Sequence, residues 1–188
     1  MNKKESKLFV FSAPSGSGKT TIVRNVLKQF PEFIFSVSAT TRKKRRIEVN
    51  GKDYFFISEK EFLKKIDANE FVEWEKFYGY YYGTLKDFVD GHIKKRNTLV
   101  FELDVKGALN FKVAYPDAVL IFISPPNLDE LKKRLKERKT ETEEDYKKRT
   151  ERAEMEMTYK DKFDYVVINR DLDSAKKEVE MIIKKEIN

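Results

Sequence analysis

The sequence predicts an α/β fold, a parallel central sheet with helices on its faces. Three observations carry the prediction. Four short apolar runs, Leu8–Ser12, Leu99–Leu103, Val119–Ser124 and Tyr165–Ile168, read as buried strands. Each is followed by a turn signal or polar stretch and then by a helical pattern. The length, 188 residues, suits one domain with small insertions, at ~100–200 residues per domain.

The elements follow in order. After Thr20, residues Ile22, Val23, Val26, Leu27 and Phe30 share one helical face. From residue 33 the pattern changes. Phe33, Phe35 and Val37 alternate with other residues, and Tyr54 and Phe56 do so again after the Asn50-Gly51 turn signal. Residues 33–84 therefore read as a small β-rich insertion, with Ser58 and Glu61 forming a capping box for a helix carrying Phe62, Leu63 and Ile66. Pro125-Pro126-Asn127 stops a strand, and Asn127 caps a helix through Leu128, Leu131 and Leu135. Glu137 to Met157 is almost wholly charged and helical in pattern, either a lid or a solvated surface. Ala175, Val179, Ile182 and Ile183 form a last amphipathic face. The expected organisation is a core of residues 1–32, 85–125 and 158–188, an insertion at 33–84 and a lid at 126–157.

Composition excludes several classes. There are 39 Lys+Arg against 32 Asp+Glu, one His and no Cys. Without cysteine there is no disulfide scaffold, thiol nucleophile or zinc–thiolate site, and the lone His92 excludes multi-histidine metal centres. A hydrophobic fraction of 40% is enough for a core. Met1 to Lys7 is polar, and Leu8–Phe11 is too short for a secretory h-region or a membrane span. A cytoplasmic protein without membrane partners is expected. Basic residues are mostly interleaved with acids; only Arg42–Arg46 is purely basic, and it abuts a hairpin rather than lying in a tail, so no nucleic-acid partner is expected.

The first chemical signal is Ala13-Pro14-Ser15-Gly16-Ser17-Gly18-Lys19-Thr20, between a strand and a helix. That is the context of a phosphate-binding loop. Gly16 and Gly18 let successive backbone N–H groups turn inward, and the helix start adds the positive end of its dipole. Lys19 can reach the β- and γ-phosphates, and the Thr20 hydroxyl can ligate Mg²⁺. Ala13 stands where the strict pattern has Gly, and as the smallest substitute it leaves the backbone path open at negative φ. Residues 13–21, Thr21 included, are the expected nucleoside triphosphate site, on the three-layer fold of P-loop nucleotide-binding proteins. Downstream, Arg42 and Arg45 offer guanidinium forks suited to a phosphate dianion, and Tyr54 a hydroxyl donor.

From Thr40 to Phe56 the chain reads Thr-Thr-Arg-x-x-Arg-x-x-Glu-x-x-Gly-x-x-Tyr-x-Phe. In this it resembles guanylate kinases. The resemblance continues through Glu70–Trp74, Tyr81–Thr84, Glu102-Leu103-Asp104, Ser124-Pro125-Pro126, Arg138–Thr142 and Asn169–Leu172, nearly the whole chain. It implies phosphoryl transfer from ATP to GMP with Mg²⁺, in a monomer or homodimer. By resemblance Arg42, Arg45, Tyr54 and Tyr82 hold the GMP phosphate in the insertion, while Ser38, Glu73, Gly83, Thr84, Glu102 and Asp104 read or surround guanine. Asp104, or Glu102 one alternation away, would hold the metal through water or shape that pocket, with Thr20 as the other metal residue. Arg134, Arg138 and Arg149 would close over the phosphates and join Lys19 in catalysis, whereas Arg152 is expected on the surface.

The chemistry agrees. Guanine presents N1–H and an exocyclic N2 amine side by side, and one carboxylate, Glu73, accepts both; hydroxyls of Ser38 and Thr84 can donate to O6. Adenine would set its N1 acceptor against that carboxylate, at a cost of ~1–3 kcal/mol per unpaired buried group. Lys43 and Lys44 replace the family's usual prolines, Lys139 a lid glycine and Arg170 an aspartate near the adenine site; none removes a group assigned to chemistry. Two alternatives remain at this stage: a guanylate kinase-like module that binds protein segments, and a P-loop kinase for another phosphorylated acceptor such as a ribose bisphosphate.

Overall fold

Alternating residues of buried strands point to opposite faces, and in this protein that period-two rule builds both core layers. The computed structural model describes residues 5–77, 79–137 and 143–188. In chain order the elements are β1 (Leu8–Ser12), α1 (Lys19–Gln29), β2 (Ile34–Phe35), β3 (Ala39–Thr40), β4 (Phe55–Phe56), α2 (Glu59–Asp67), β5 (Phe71–Phe77), β6 (Tyr80–Leu85) and α3 (Lys86–Lys94). Then come β7 (Leu99–Glu102), α4 (Val105–Ala114), β8 (Val119–Ser124), α5 (Leu128–Glu137), α6 (Glu143–Met157), a 3-10 turn at Lys160–Lys162, β9 (Tyr165–Ile168) and α7 (Leu172–Ile187).

The central sheet is wholly parallel, with strand order β2-β7-β1-β8-β9. On one face Phe9, Phe11, Ile121 and Ile123 pack against Ile22, Val23 and Val26 of α1 and Ala175, Val179 and Ile183 of α7. On the other, Val10, Phe101, Leu120 and Phe122 meet Val89 of α3 and Ala108 and Phe111 of α4. Each of the Val, Leu, Ile and Phe side chains contributes ~1.5–3 kcal/mol on burial, so the three layers hold because both faces of every inner strand are apolar.

Two details differ from the sequence reading, and a third settles between alternatives it left open. Ile34–Phe35, expected inside the insertion, pairs with β7 and forms the edge of the central sheet; its alternation serves two helix layers, not a second sheet. The run expected to reach Leu103 ends as a strand at Glu102, and Leu103 donates its N–H to the Phe11 carbonyl as the chain turns into α4. Of the two readings left open for the charged stretch, α6 is not simply a solvated surface, because α5 and α6 pack through Leu131, Leu135 and Ala153.

The insertion has its own sheet, order β4-β3-β6-β5. Phe62 of α2 stacks on Phe71 and Tyr81 of this sheet at 4.3 and 5.3 Å. The expected caps form: Ser58 accepts from the Glu61 N–H (3.1 Å), and Asn127 from that of Glu130 (2.8 Å). Among the described residues no helix is long and apolar enough to cross a membrane.

Candidate active site

The glycine-rich segment leaves β1 and folds back over the carboxyl end of the sheet before entering α1. Ser17 donates its N–H to the Pro14 carbonyl (3.2 Å). Gly18 caps α1 at φ 88°, in the left-handed region. A Cβ there would sit 2.6 Å from Nδ2 of Asn169, which itself donates to the Ser17 carbonyl at 2.8 Å. The loop is thus braced from the turn after β9. Lys19 Nζ donates to the Leu103 carbonyl (3.0 Å), and Thr20 Oγ1 to Glu102 Oε2 (2.8 Å). A cavity of about 400 Å³ opens above, lined by Ala13–Thr21, Phe77, Glu102, Asp104, Arg149, Arg152 and Glu156. Burial lowers the pKa of Lys19, against the opposing charges of Glu102, Asp104 and Glu156.

A second cavity, about 310 Å³, adjoins the first and shares Lys19, Phe77, Glu102, Asp104 and Arg152 with it. Its remaining wall is Ser38, Tyr54, Glu73, Glu75, Tyr82, Gly83 and Leu103. Glu73, on β5, is 7% exposed and accepts from Thr84 Oγ1 at 2.6 Å. It approaches the first turn of α4 so closely that a Cβ on Gly107 would meet its Oε2 at 2.8 Å. Burial pushes the Glu73 carboxyl up to about 7; the Thr84 hydrogen bond opposes this, and the neighbouring Asp104 and Glu75 reinforce it. Asp104 caps α4 by accepting the Gly107 N–H (3.0 Å). It also shares a hydrogen bond with Glu75. Burial and that bond push Glu75 up to about 7; on Asp104 burial acts upward too, but the Glu75 and Gly107 hydrogen bonds and the charges of Arg152 and Lys19 hold it below the usual carboxylate range.

Above the second cavity, Arg42 lies over the rings of Tyr54 and Phe56, 5.3 and 5.7 Å from their centres. Its guanidinium grips Glu48 at both ends, 2.7 and 3.0 Å, while the Arg45 N–H donates to the same carboxylate at 2.7 Å. The Arg42 hydrogen bonds, against an opposing burial effect and with help from the Arg45 N–H, hold the Glu48 carboxyl down to about 2. The Arg45 side chain is exposed.

The expected residues therefore gather into two joined compartments. Residues 13–21 wall one; Ser38, Tyr54, Glu73, Tyr82 and Gly83 wall the other; Glu102 and Asp104 stand in both. Thr84 backs Glu73. Arg149 lines the loop cavity. Arg134 instead donates to Glu130 (2.9 Å) and the Asn169 carbonyl (3.3 Å) at the loop's rear. Arg138 lies outside the described residues, with Lys139 and Thr140–Thr142. Arg152, expected on the surface, is the clear correction: it lines both cavities, donating to Glu156 and Glu75. Glu48, Glu75, Phe77, Glu156 and Asn169 were given no role by sequence reasoning. The one available signal was the four-residue spacing of Arg152 and Glu156 on a helix.

A phosphate loop at the carboxyl end of a parallel sheet, joined to a second compartment with a buried carboxylate, defines a P-loop phosphotransferase with a small phosphorylated acceptor. The guanylate kinase family profile matches residues 5–186. The guanylate kinase of Thermotoga maritima is 46% identical over 95% of this chain and 85% of its own length. That of Chlorobaculum tepidum is 50% identical over 89% of this chain and 87% of its own. The crystal structure of guanylate kinase from Anaplasma phagocytophilum superposes with a TM-score of 0.77 at 27% identity, covering 98% of this chain and 88% of that one. The chain belongs to the guanylate kinase family.

Proposed function

We infer that this protein transfers the γ-phosphoryl group of ATP to GMP, and to dGMP, yielding ADP and GDP. The observation that carries the reading is the junction of the two compartments at Lys19, Glu102 and Asp104. The triphosphate lies along the loop amides and Lys19. The acceptor's guanine lies against Glu73, and its phosphate reaches Tyr54, Tyr82, Arg42 and Arg45. A phosphate oxygen of GMP then attacks the γ-phosphorus. That P–O bond forms as the bond to the β,γ-bridging oxygen breaks, and the electron pair leaves on ADP. No proton need move, so catalysis is positioning, charge neutralisation and exclusion of water.

Guanine selection falls to Glu73 with Ser38. The Thr84 hydroxyl is engaged with Glu73, so its part is to aim the carboxylate, leaving Ser38 to donate to O6. An acceptor without a base, such as a ribose bisphosphate, would give this buried carboxyl nothing to bind, which disfavours that alternative. Among the described residues no three acidic or histidine side chains form a ready metal site. The Thr20 hydroxyl and Glu102 carboxylate, 2.8 Å apart at the loop, are hard oxygen donors few enough to suit Mg²⁺, which takes the rest of its shell from phosphates and water. With Asp104 nearby, these residues would hold it, and it would neutralise charge on the β- and γ-phosphates. The cytoplasm is the proposed place of action.

Coupled ADP release with GMP, dGMP, AMP and UMP is the test. Turnover is expected with the two guanine nucleotides and weak turnover with AMP; equal rates for AMP and GMP, or none with GMP, would refute the reading. Trp74, next to Glu73 and 44% exposed, supplies a fluorescence signal for GMP binding.

A further inference from the structure

Two anionic substrates approaching from the two compartments meet at the shared wall of Lys19, Phe77, Glu102, Asp104 and Arg152. Lys19 and Arg152 are the cations of that wall. Lys19 belongs to the loop, whereas Arg152 comes from α6 and is held by three contacts. Its Nε donates to Glu156 Oε1 at 2.8 Å, its Nη2 to Glu75 Oε2 at 3.3 Å, and its guanidinium carbon lies 4.0 Å from the centre of the Phe77 ring.

These contacts are unequal in kind. Glu156 is one helical turn away, 4% exposed, and grips the Nε edge with a short bond; Phe77 supports the plane of the fork. Together they fix where the guanidinium lies and how it is turned. The Glu75 contact is long for a charge-assisted hydrogen bond, and Glu75 has a second partner in Asp104. A pair built only to pin α6 onto β5 would be short and exclusive. An arginine with a fixed plane, a fixed Nε and an exchangeable partner on its other edge is instead set up to take phosphate oxygens.

We propose that Arg152 is a further catalytic residue: on substrate binding its Nη edge leaves Glu75 for oxygens of the phosphoryl group in transfer, facing Lys19 across it. The proposal rests on ATP-to-GMP transfer as the reaction. Glu75 is the placeholder that keeps the guanidinium ordered until phosphate displaces it. Charge spreads over the equatorial oxygens in the transition state, so a preorganised cation there raises kcat more than it lowers KM.

The test is single-turnover quench and steady-state kinetics on the whole protein. Arg152→Gln is expected to lower the rate of transfer roughly 100-fold while KM for GMP moves less than about 3-fold. Arg152→Lys, which keeps the charge and loses the fork, should lose roughly 10-fold. In Arg152→Ala, added guanidinium ion should restore part of the rate, a response a merely structural clamp would not give. Glu75→Gln can still donate to Asp104 but offers Arg152 a neutral amide in place of a carboxyl that can ionise, so KM for ATP should fall about 3-fold. A clamp acting through Glu75 would instead make Glu75→Gln as slow as Arg152→Gln. That match, an Arg152→Gln rate within about 2-fold of wild type, or no guanidinium rescue would overturn the proposal. A wild-type protein inactive on GMP would sink the underlying reaction and the proposal with it. An active wild type with an unaffected Arg152→Gln would sink the role of Arg152 alone.

Discussion

Glu73 gives the sharpest prediction, because the burial on which its proposed reading of guanine rests costs the free protein stability. Its carboxyl rises from 4.5 to about 7. In the unfolded chain it ionises near 4.5, so below that pH folding carries no charge penalty. Between 4.5 and 7 the unfolded state releases its proton first, and the penalty grows as pH rises; above 7 the folded state holds a buried carboxylate and the penalty is complete. At about 1.36 kcal/mol per unit the full term is ~3 kcal/mol. The Glu73→Gln variant escapes it, since the amide oxygen still accepts from Thr84 Oγ1, 2.6 Å away in the parent. Urea unfolding should therefore find the variant ~3 kcal/mol more stable at pH 8 and nearly equal to wild type near pH 4.5. A variant less stable at pH 8, or a difference independent of pH, would refute the burial argument.

The same titration governs binding. Guanine needs both carboxylate oxygens as acceptors, so below pH 7 GMP must displace a proton and KM for GMP should rise as pH falls. GMP's own phosphate also titrates near pH ~6, and AMP serves as the control for it. In Glu73→Gln the amide accepts one of guanine's two donors and opposes the other, so KM for GMP should rise ~100-fold and the preference over AMP should collapse. Persistence of that preference would remove Glu73 from base reading whatever the stability result.

Further expectations concern the parts around it. Glu48→Gln weakens the grip on Arg42 and the anchoring of the Arg45 backbone, so KM for GMP should rise ~10-fold with little change in kcat. Because the Glu48 carboxyl is held down to about 2, its contribution is complete above pH 4.5 and lost as pH falls towards 2; acid unfolding followed through Trp74 should begin at higher pH in the variant. Gly18→Ala combines φ 88° with a Cβ 2.6 Å from Asn169 Nδ2. A left-handed backbone costs ~1–2 kcal/mol, so KM for ATP should rise ~10-fold, and kinetics with varied ATP at saturating GMP will read it. Chelation with EDTA should abolish transfer while leaving the Trp74 response to GMP intact.

Much of this architecture was legible because it repeats locally. The four apolar runs of the central sheet are apolar on both faces, and Ser58, Asn127 and the phosphate loop announce their roles within a few residues. The edge strand Ile34–Phe35 was misplaced for a physical reason: two residues are too few to separate a strand at the edge of a parallel sheet from the start of an antiparallel one. Helix α3 went unassigned, since Phe88, Val89 and Ile93 sit among charges with Gly91 inside. Arg152 was misread because its acidic partner Glu75 lies 77 residues away, on a strand of the insertion's sheet. No window along the chain brings them together; only the packing of α6 over β5 does. Asn169 was hidden likewise, bracing the loop from 152 residues downstream.

That long-range acidity poses a question the sequence alone does not raise, why a site for two polyanions is walled by Glu73, Glu75, Glu102, Asp104 and Glu156. Each carboxyl has a specific task in the free protein: Glu102 accepts from Thr20, Glu156 and Glu75 from Arg152, Asp104 from the Gly107 N–H, Glu73 from Thr84. On the proposed reading, they hold the donors where phosphate and base will later be. Their repulsion is relieved by protons, since Glu73 and Glu75 are pushed up to about 7, and by Lys19 and Arg152 between them. An arriving phosphate thus meets donors already ordered and replaces carboxylate partners, rather than organising mobile side chains. The entropy of ordering is spent in folding, so binding energy remains for alignment of the two phosphates. It follows that neutralising one acid of this wall loosens a donor as well as removing a charge. Glu156→Gln should accordingly slow transfer by weakening the hold on the Nε of Arg152, and the loss should be non-additive with Arg152→Gln in a double-mutant cycle. Full additivity would mean that Glu156 acts independently of Arg152.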